Sequence, residues 1–153
     1  LELIREQMLH NSLPPGCVIF EVTEQAAVRY LEIANAGIQD LITLGCRFAL
    51  DDFGKGFSSF SYLKHLPVDI IKIDGSFVEN LVNDSVDQAM VRSIVGIACA
   101  LGKRTVAEFV QDGQTLALLR ELGVDYVQGY YLGPPAERLP SERLPGKQLR
   151  AVS

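Results

Sequence analysis

Three Leu-Gly pairs, at 44–45, 101–102 and 122–123, set the rhythm of this 153-residue chain. Each closes a stretch of helical apolar spacing, and five or six residues later a short apolar run presents a polar side chain: Asp51, Glu108 or Gln128. Glycine ends a helix at low cost because the left-handed backbone of a C-terminal cap brings no Cβ clash. Helices that stop and give way to strands in this alternation require crossover connections, and therefore a parallel sheet. In parallel barrel-type sheets the functional side chains gather beyond the C-terminal strand ends. One face of the molecule is thus expected to collect these polar residues.

Five strands are expected, around 17–22, 47–52, 69–74, 104–109 and 126–131. The first, CVIFEV, reads as a buried strand closing on Glu21. Residues 1–12 read as an amphipathic helix carrying Leu1, Ile4 and Met8, and Ala27 to Leu44 as one helical stretch with an Ile38, Leu41 and Ile42 stripe. A turn of helix is expected at Ser59 to Lys64 and a further helix at Gln114 to Leu122. Ser85-x-x-Gln88 reads as a capping box for a helix with Met90, Ile94, Ile97, Ala98 and Leu101 on one face. Residues 135–153 are polar and proline-punctuated and read as a winding tail. The fold class is α/β. Five strands are fewer than the eight of a closed barrel, so the pattern leaves open both a doubly wound sheet and a partial TIM-type barrel.

Composition narrows the function. With 48% hydrophobic residues the chain suits one compact domain with a sizeable core. No apolar run reaches the roughly 20 residues that a membrane-spanning helix needs. A net charge of -5 without a run of Lys or Arg argues against a surface for nucleic acid polymers. Three scattered cysteines (Cys17, Cys46, Cys99) fit reduced core thiols of a cytoplasmic protein, with no disulfide. Two histidines and no Cys-x-x-Cys argue against a Cys/His zinc site, so a metal here is expected to take oxygen ligands.

The segment Phe48 to Phe60, FALDDFGKGFSSF, carries the chemistry. Adjacent carboxylates repel and are costly to desolvate, so Asp51 and Asp52 at a strand end point to a compensating cation. Glu21 and Glu108 fall near the ends of two other strands, Lys72 on a fourth and Gln128 on a fifth. Taken singly, each has a structural explanation: a solvated Asp-Asp turn, strand-end charges, a Lys72–Asp74 pair, a loop-capping amide. Together, four carboxylates at one mouth suit one or two Mg²⁺ or Mn²⁺ ions and the hydrolysis of a phosphate ester, with Lys72 stabilising charge or orienting water.

These residues and their surroundings resemble the EAL domains that hydrolyse cyclic di-GMP. The similarity runs through EVTE at 21–24, DDFGKGFSSFSYL at 51–63, LPVDIIKID at 66–74, TVAEFVQ at 105–111 and QGYYLGPP at 128–135. It implies a modified TIM-type (βα) barrel, present here as about five parallel strands, and a two-metal site. Glu21 and Asp51 would bind one ion, with Asp51 shared and Asp52 and Glu108 on the second. Lys72 would sit beside the nucleophilic water, Gln128 would support the metal–water network, and Glu24 would hold the Asp-Asp loop. The implied reaction opens one phosphodiester bond of cyclic di-GMP to give linear pGpG.

The sequence also departs from the family pattern. Lys55 and Phe57 replace the usual Thr and Tyr of the loop, Gln111 replaces a Glu, and Phe109 stands at a Gly. The Glu-Ala-Leu motif and a downstream Asn, which normally add metal ligands, lie outside these residues. Residues 1–153 are therefore expected to be the C-terminal two-thirds of a domain, inactive or weak on its own. An active phosphodiesterase in the parent protein and a degenerate cyclic di-GMP receptor are the two functions implied. Family resemblance further implies a homodimer with sensory or GGDEF domains upstream.

Overall fold

The computed structural model describes residues 2–30, 35–55, 60–134 and 150–151. Helix α1 (Glu2–His10) leads to β1 (Ile19–Thr23), then α2 (Glu24–Tyr30), α3 (Asn35–Thr43) and β2 (Arg47–Phe53). A 3₁₀ turn at Phe60–Lys64 precedes β3 (Ile70–Ile73), and a second at Gly75–Phe77 precedes α4 (Ser85–Ala100). The chain continues through β4 (Arg104–Ala107), α5 (Gly113–Glu121), β5 (Tyr126–Val127) and β6 (Arg150–Ala151).

All strand pairings are parallel, and the spatial order β1-β2-β3-β4-β5-β6 is the sequence order. A doubly wound sheet reverses its winding at a switch point. Here no reversal occurs among the described strands, so the sheet is the running arc of a TIM-type barrel. Its middle is dry on both faces: Leu50, Ile71, Ile73 and Ala107 are fully enclosed, as expected of strands covered by crossover helices. On α4 the buried stripe is Val91, Ile94 and Ala98, with Met90 only half-buried.

The three Leu-Gly stops share one geometry. Gly45, Gly102 and Gly123 adopt φ of 88°, 67° and 85°. In each, the glycine N–H donates three residues back, to Ile42, Cys99 or Arg120, and the next N–H donates five residues back, to Leu41, Ala98 or Leu119. This double bond pattern satisfies carbonyls that a helix end would otherwise leave bare, and turns the chain toward the next strand.

Several local expectations are corrected. The first strand begins at Ile19, not at 17, and is half-exposed: Ile19 is 40% accessible because β1 pairs on one side only among the described residues. It also runs past Glu21 to Thr23. The second helical stretch begins at Glu24, not at Ala27, and is described over Glu24–Tyr30 and Asn35–Thr43, while residues 31–34 lie outside those described. The fourth and fifth strands stop at Ala107 and Val127, so Glu108 and Gln128 sit just beyond them. The N-cap of α4 is Asp84, whose carboxylate accepts from the Val86 and Asp87 N–H groups, whereas Gln88 reaches back to the Leu81 carbonyl. Of the cysteines only Cys46 is buried, against the Met8 sulfur, while Cys17 and Cys99 are exposed; all three are free. Most of the 135–153 tail, Ser59 and Phe57 lie outside the described residues, although Arg150–Ala151 adds parallel to β5.

The glycine stops yield a graded prediction. At Gly102 a Cβ meets nothing within 4 Å, so Gly102→Ala carries only the left-handed backbone penalty, roughly 1 kcal/mol. At Gly45 the same Cβ also lies 2.8 Å from the Pro15 side chain. Urea denaturation should show Gly45→Ala losing more stability than Gly102→Ala.

Candidate metal and acid site

The two ends of the sheet use their acids differently. At the N-terminal ends, Asp69 accepts from the Phe48 N–H at 3.1 Å, and Asp125 accepts from the Thr105 N–H at 2.9 Å. Each locks its strand to a neighbour through backbone amides, so these carboxylates are occupied structurally. A repeated Val-Asp before a strand, at 68–69 and 124–125, was the available sequence signal.

At the C-terminal ends the acids converge without such partners. Two successive strand residues ordinarily point to opposite faces, which would separate Asp51 from Asp52. The β2–β3 register shifts between Leu50↔Ile71 and Phe53↔Ile73, so β2 holds one extra residue there, and Asp52 adopts φ 53°. This bulge turns both carboxylates to one side. Ligand oxygens of Asp51, Asp52 and Glu108 consequently lie within 4.8 Å of one another.

Lys72 balances this charge. Its ammonium, on a side chain only 7% exposed, lies 2.9 Å from Glu21, 2.8 Å from Asp51 and 2.9 Å from Glu108. The alternative pairing with Asp74 does not form. Burial opposes the charge on Lys72, but its three carboxylate partners outweigh that effect and raise its pKa, so it remains an ammonium throughout the neutral range. Burial pushes the Glu108 carboxyl up, as do Asp51 and Glu21, against the lowering influence of Lys72. Asp51 Oδ1 is buried and, beyond its charge contact with Lys72, has no hydrogen-bond donor among the described residues.

A second cluster adjoins the first. Asp74 accepts from the Ser76 N–H at 2.9 Å and the Ser76 hydroxyl, and pairs with Lys55 at 2.9 Å. Burial alone would raise the Asp74 carboxyl; bonds from Ser76, Lys55 and Asp52 reverse this and hold it at about 2. Asp52 is raised correspondingly, chiefly by its hydrogen bond to Asp74 and then by burial. Sequence reasoning had not placed Asp74 here.

Two further residues fix the loop. Buried Glu24, the first residue of α2, accepts from the Gly54 N–H at 3.2 Å and the Tyr62 hydroxyl at 2.9 Å. Gln128 follows β5 directly, its N–H donating to the Ala107 carbonyl and its own carbonyl accepting from Val110, which brings it beside Glu108. Gly129 permits this approach, since a Cβ there would lie 2.3 Å from the Val110 backbone. Phe109 adopts φ 57°, unusual for an aromatic residue, and its exposed ring covers Gly75.

The donor set is hard carboxylate oxygen, with ligand atoms of three acids within 4.8 Å of one another, which fits a divalent Mg²⁺ or Mn²⁺ ion. The EAL domain family model matches residues 1–135. The chain is 43% identical over 135 residues to the cyclic di-GMP phosphodiesterase PdeB of Shewanella oneidensis, covering 88% of this chain and 16% of that protein. It superposes with TM-score 0.81 on the MucR phosphodiesterase of Pseudomonas aeruginosa in complex with c-di-GMP, at 38% identity, over 88% of this chain and 54% of the other. A manganese and cyclic di-GMP complex of Klebsiella pneumoniae BlrP1 matches with TM-score 0.78 at 30% identity, over 84% and 33%. The chain thus spans about a sixth of the length of the PdeB relative it matches.

Two measurements probe this architecture. Glu24→Ala strips the acceptor from the Gly54 amide and the Tyr62 hydroxyl, and should cost about 1–3 kcal/mol in urea denaturation, more than Tyr62→Phe. Because the folded Asp74 carboxyl titrates at about 2, below its ordinary value of 3.8, its contribution is complete above about pH 4. That contribution is lost as pH falls through about 2, so an acid titration of stability should be shallower in Asp74→Asn across this window.

Proposed function

This chain belongs to the EAL domain family, and on that footing we propose that its parent protein hydrolyses cyclic di-GMP to linear pGpG by two-metal phosphodiester cleavage. The reading is carried by one observation: Glu21, Asp51, Lys72 and Glu108 converge from β1, β2, β3 and the end of β4 onto one point, with Asp52 brought alongside by the bulge. Relatives bearing the phosphodiesterase name, and neighbours complexed with c-di-GMP and manganese, support it.

Glu21, Asp51, Asp52 and Glu108 are the proposed ligands of Mg²⁺ or Mn²⁺. Such ions supply Lewis acidity and a water of lowered pKa when bound. The chain's own residues hold the remaining roles. Lys72, kept protonated by its three carboxylates, serves as a fixed positive charge and hydrogen-bond donor that orients water and the phosphate, not as a base. Glu24 holds the acid loop at the Gly54 amide, and Gln128, beside Glu108, supports the water network. With the acids and Lys72 all retained and converging, the catalytic reading is favoured over a receptor that has lost its chemistry.

The test is hydrolysis of cyclic di-GMP by the full-length protein in Mn²⁺, followed by separation of the nucleotide products. Turnover should yield pGpG, vanish on chelation, and fall by about 10³-fold or more in Asp51→Ala, in line with loss of a shared ligand. Binding without turnover in the unaltered protein would instead identify a receptor.

A further inference from the structure

The loop that carries Asp51 and Asp52 contains a cation of its own. Lys55 lies three residues beyond Asp52, its ammonium 2.9 Å from an Asp74 oxygen. The two partners differ sharply in freedom: the Lys55 side chain is 64% exposed and the Asp74 side chain 3%. Asp74 is held in place by Ser76 through both its N–H and its hydroxyl. Asp52 reaches Asp74 by a side-chain hydrogen bond, and the Lys55 charge acts on Asp52 as well. Glu79 is the other acid that faces Lys55. The buried acid is therefore fixed, and the lysine is the movable member of the pair.

We infer that Lys55 is a tethered counter-ion which occupies the Asp52–Asp74 side of the acid cluster and competes there with a divalent cation. A lysine on a flexible stem neutralises this carboxylate pair when no other cation is near, and its exposure lets it swing into solvent when one arrives. Held at Asp74, which is hydrogen-bonded to the proposed ligand Asp52, the Lys55 charge repels a cation arriving at Asp52, so moving it aside appears as weakened metal affinity. Lys72 cannot do this: it is buried among three carboxylates of the opposite cluster and has no solvent-directed position to take. Lys55 is thus a positioning residue that sets the metal concentration at which the site fills. The inference rests on the metal reading proposed above.

The measurement is calorimetric titration of the purified full-length protein with Mn²⁺ alone, without nucleotide. Lys55→Met and Lys55→Thr should bind Mn²⁺ about three- to tenfold more tightly than the unaltered protein, the scale of removing one partly screened unit charge a few Å from a divalent ion. Lys55→Arg, which keeps the charge, should retain the weaker affinity, and the gap between Met and Lys should narrow as NaCl is raised. Equal affinities, or weaker binding by Lys55→Met with an unchanged melting curve, would overturn the inference and leave the metal reading intact. Absence of Mn²⁺ binding in the unaltered protein and the variants alike would overturn both.

Discussion

One ammonium among three carboxylates governs the site. Glu21, Asp51 and Glu108 would repel one another at the separations imposed by the strands, and burial adds a desolvation cost to Glu108. Lys72 offsets both effects at once, at 2.8–2.9 Å from all three. A buried charge cluster of this kind is weak evidence of a gain in stability, because well-packed apolar groups would serve a core better. Its position at the C-terminal edge of a parallel sheet is consistent with the metal-binding role proposed above. The neutralisation is also incomplete: one cation faces three anions, with Asp52 nearby, and the residual negative charge suits a divalent ion.

The sheet shows the same economy at its other end by contrast. Asp69 and Asp125 are carboxylates at strand boundaries too, yet one oxygen of each accepts from a backbone amide of the neighbouring strand, and the other oxygen of Asp125 pairs with Arg104. Asp51 Oδ1, by contrast, is buried and faces the Lys72 ammonium instead of a backbone amide, and Asp52 is turned toward the same side by a bulge. The two sets of carboxylates therefore differ in their partners: backbone amides at the N-terminal strand ends, a buried ammonium at the C-terminal ones.

The departures from the family pattern concentrate around the acid loop. Phe109 accepts a left-handed backbone where the motif usually has glycine, and its ring closes over Gly75, the residue that follows Asp74. Lys55 adds a charge to the loop itself and engages Asp74. Neither change removes a carboxylate from the cluster. Both alter what surrounds it, the first through shape and the second through charge.

The alternation of helices and strands, the parallel sheet and the glycine stops are legible in the amino-acid order, because they follow from short-range periodicity and from the left-handed φ that glycine tolerates at 45, 102 and 123. That order also brought Glu21, Asp51, Lys72 and Glu108 together as one candidate group, since parallel crossovers deliver successive strand ends to the same face. The choice between a barrel arc and a doubly wound sheet needed strand order, a long-range property that local spacing leaves undetermined. Tertiary structure likewise decided that Lys72 pairs with Glu21, Asp51 and Glu108 and leaves Asp74 to Lys55 and Ser76. Neighbours two residues apart in sequence, Lys72 and Asp74, belong to separate clusters. Inter-strand register, and one extra residue at the β2 bulge, set those distances, and neither is encoded in any single segment.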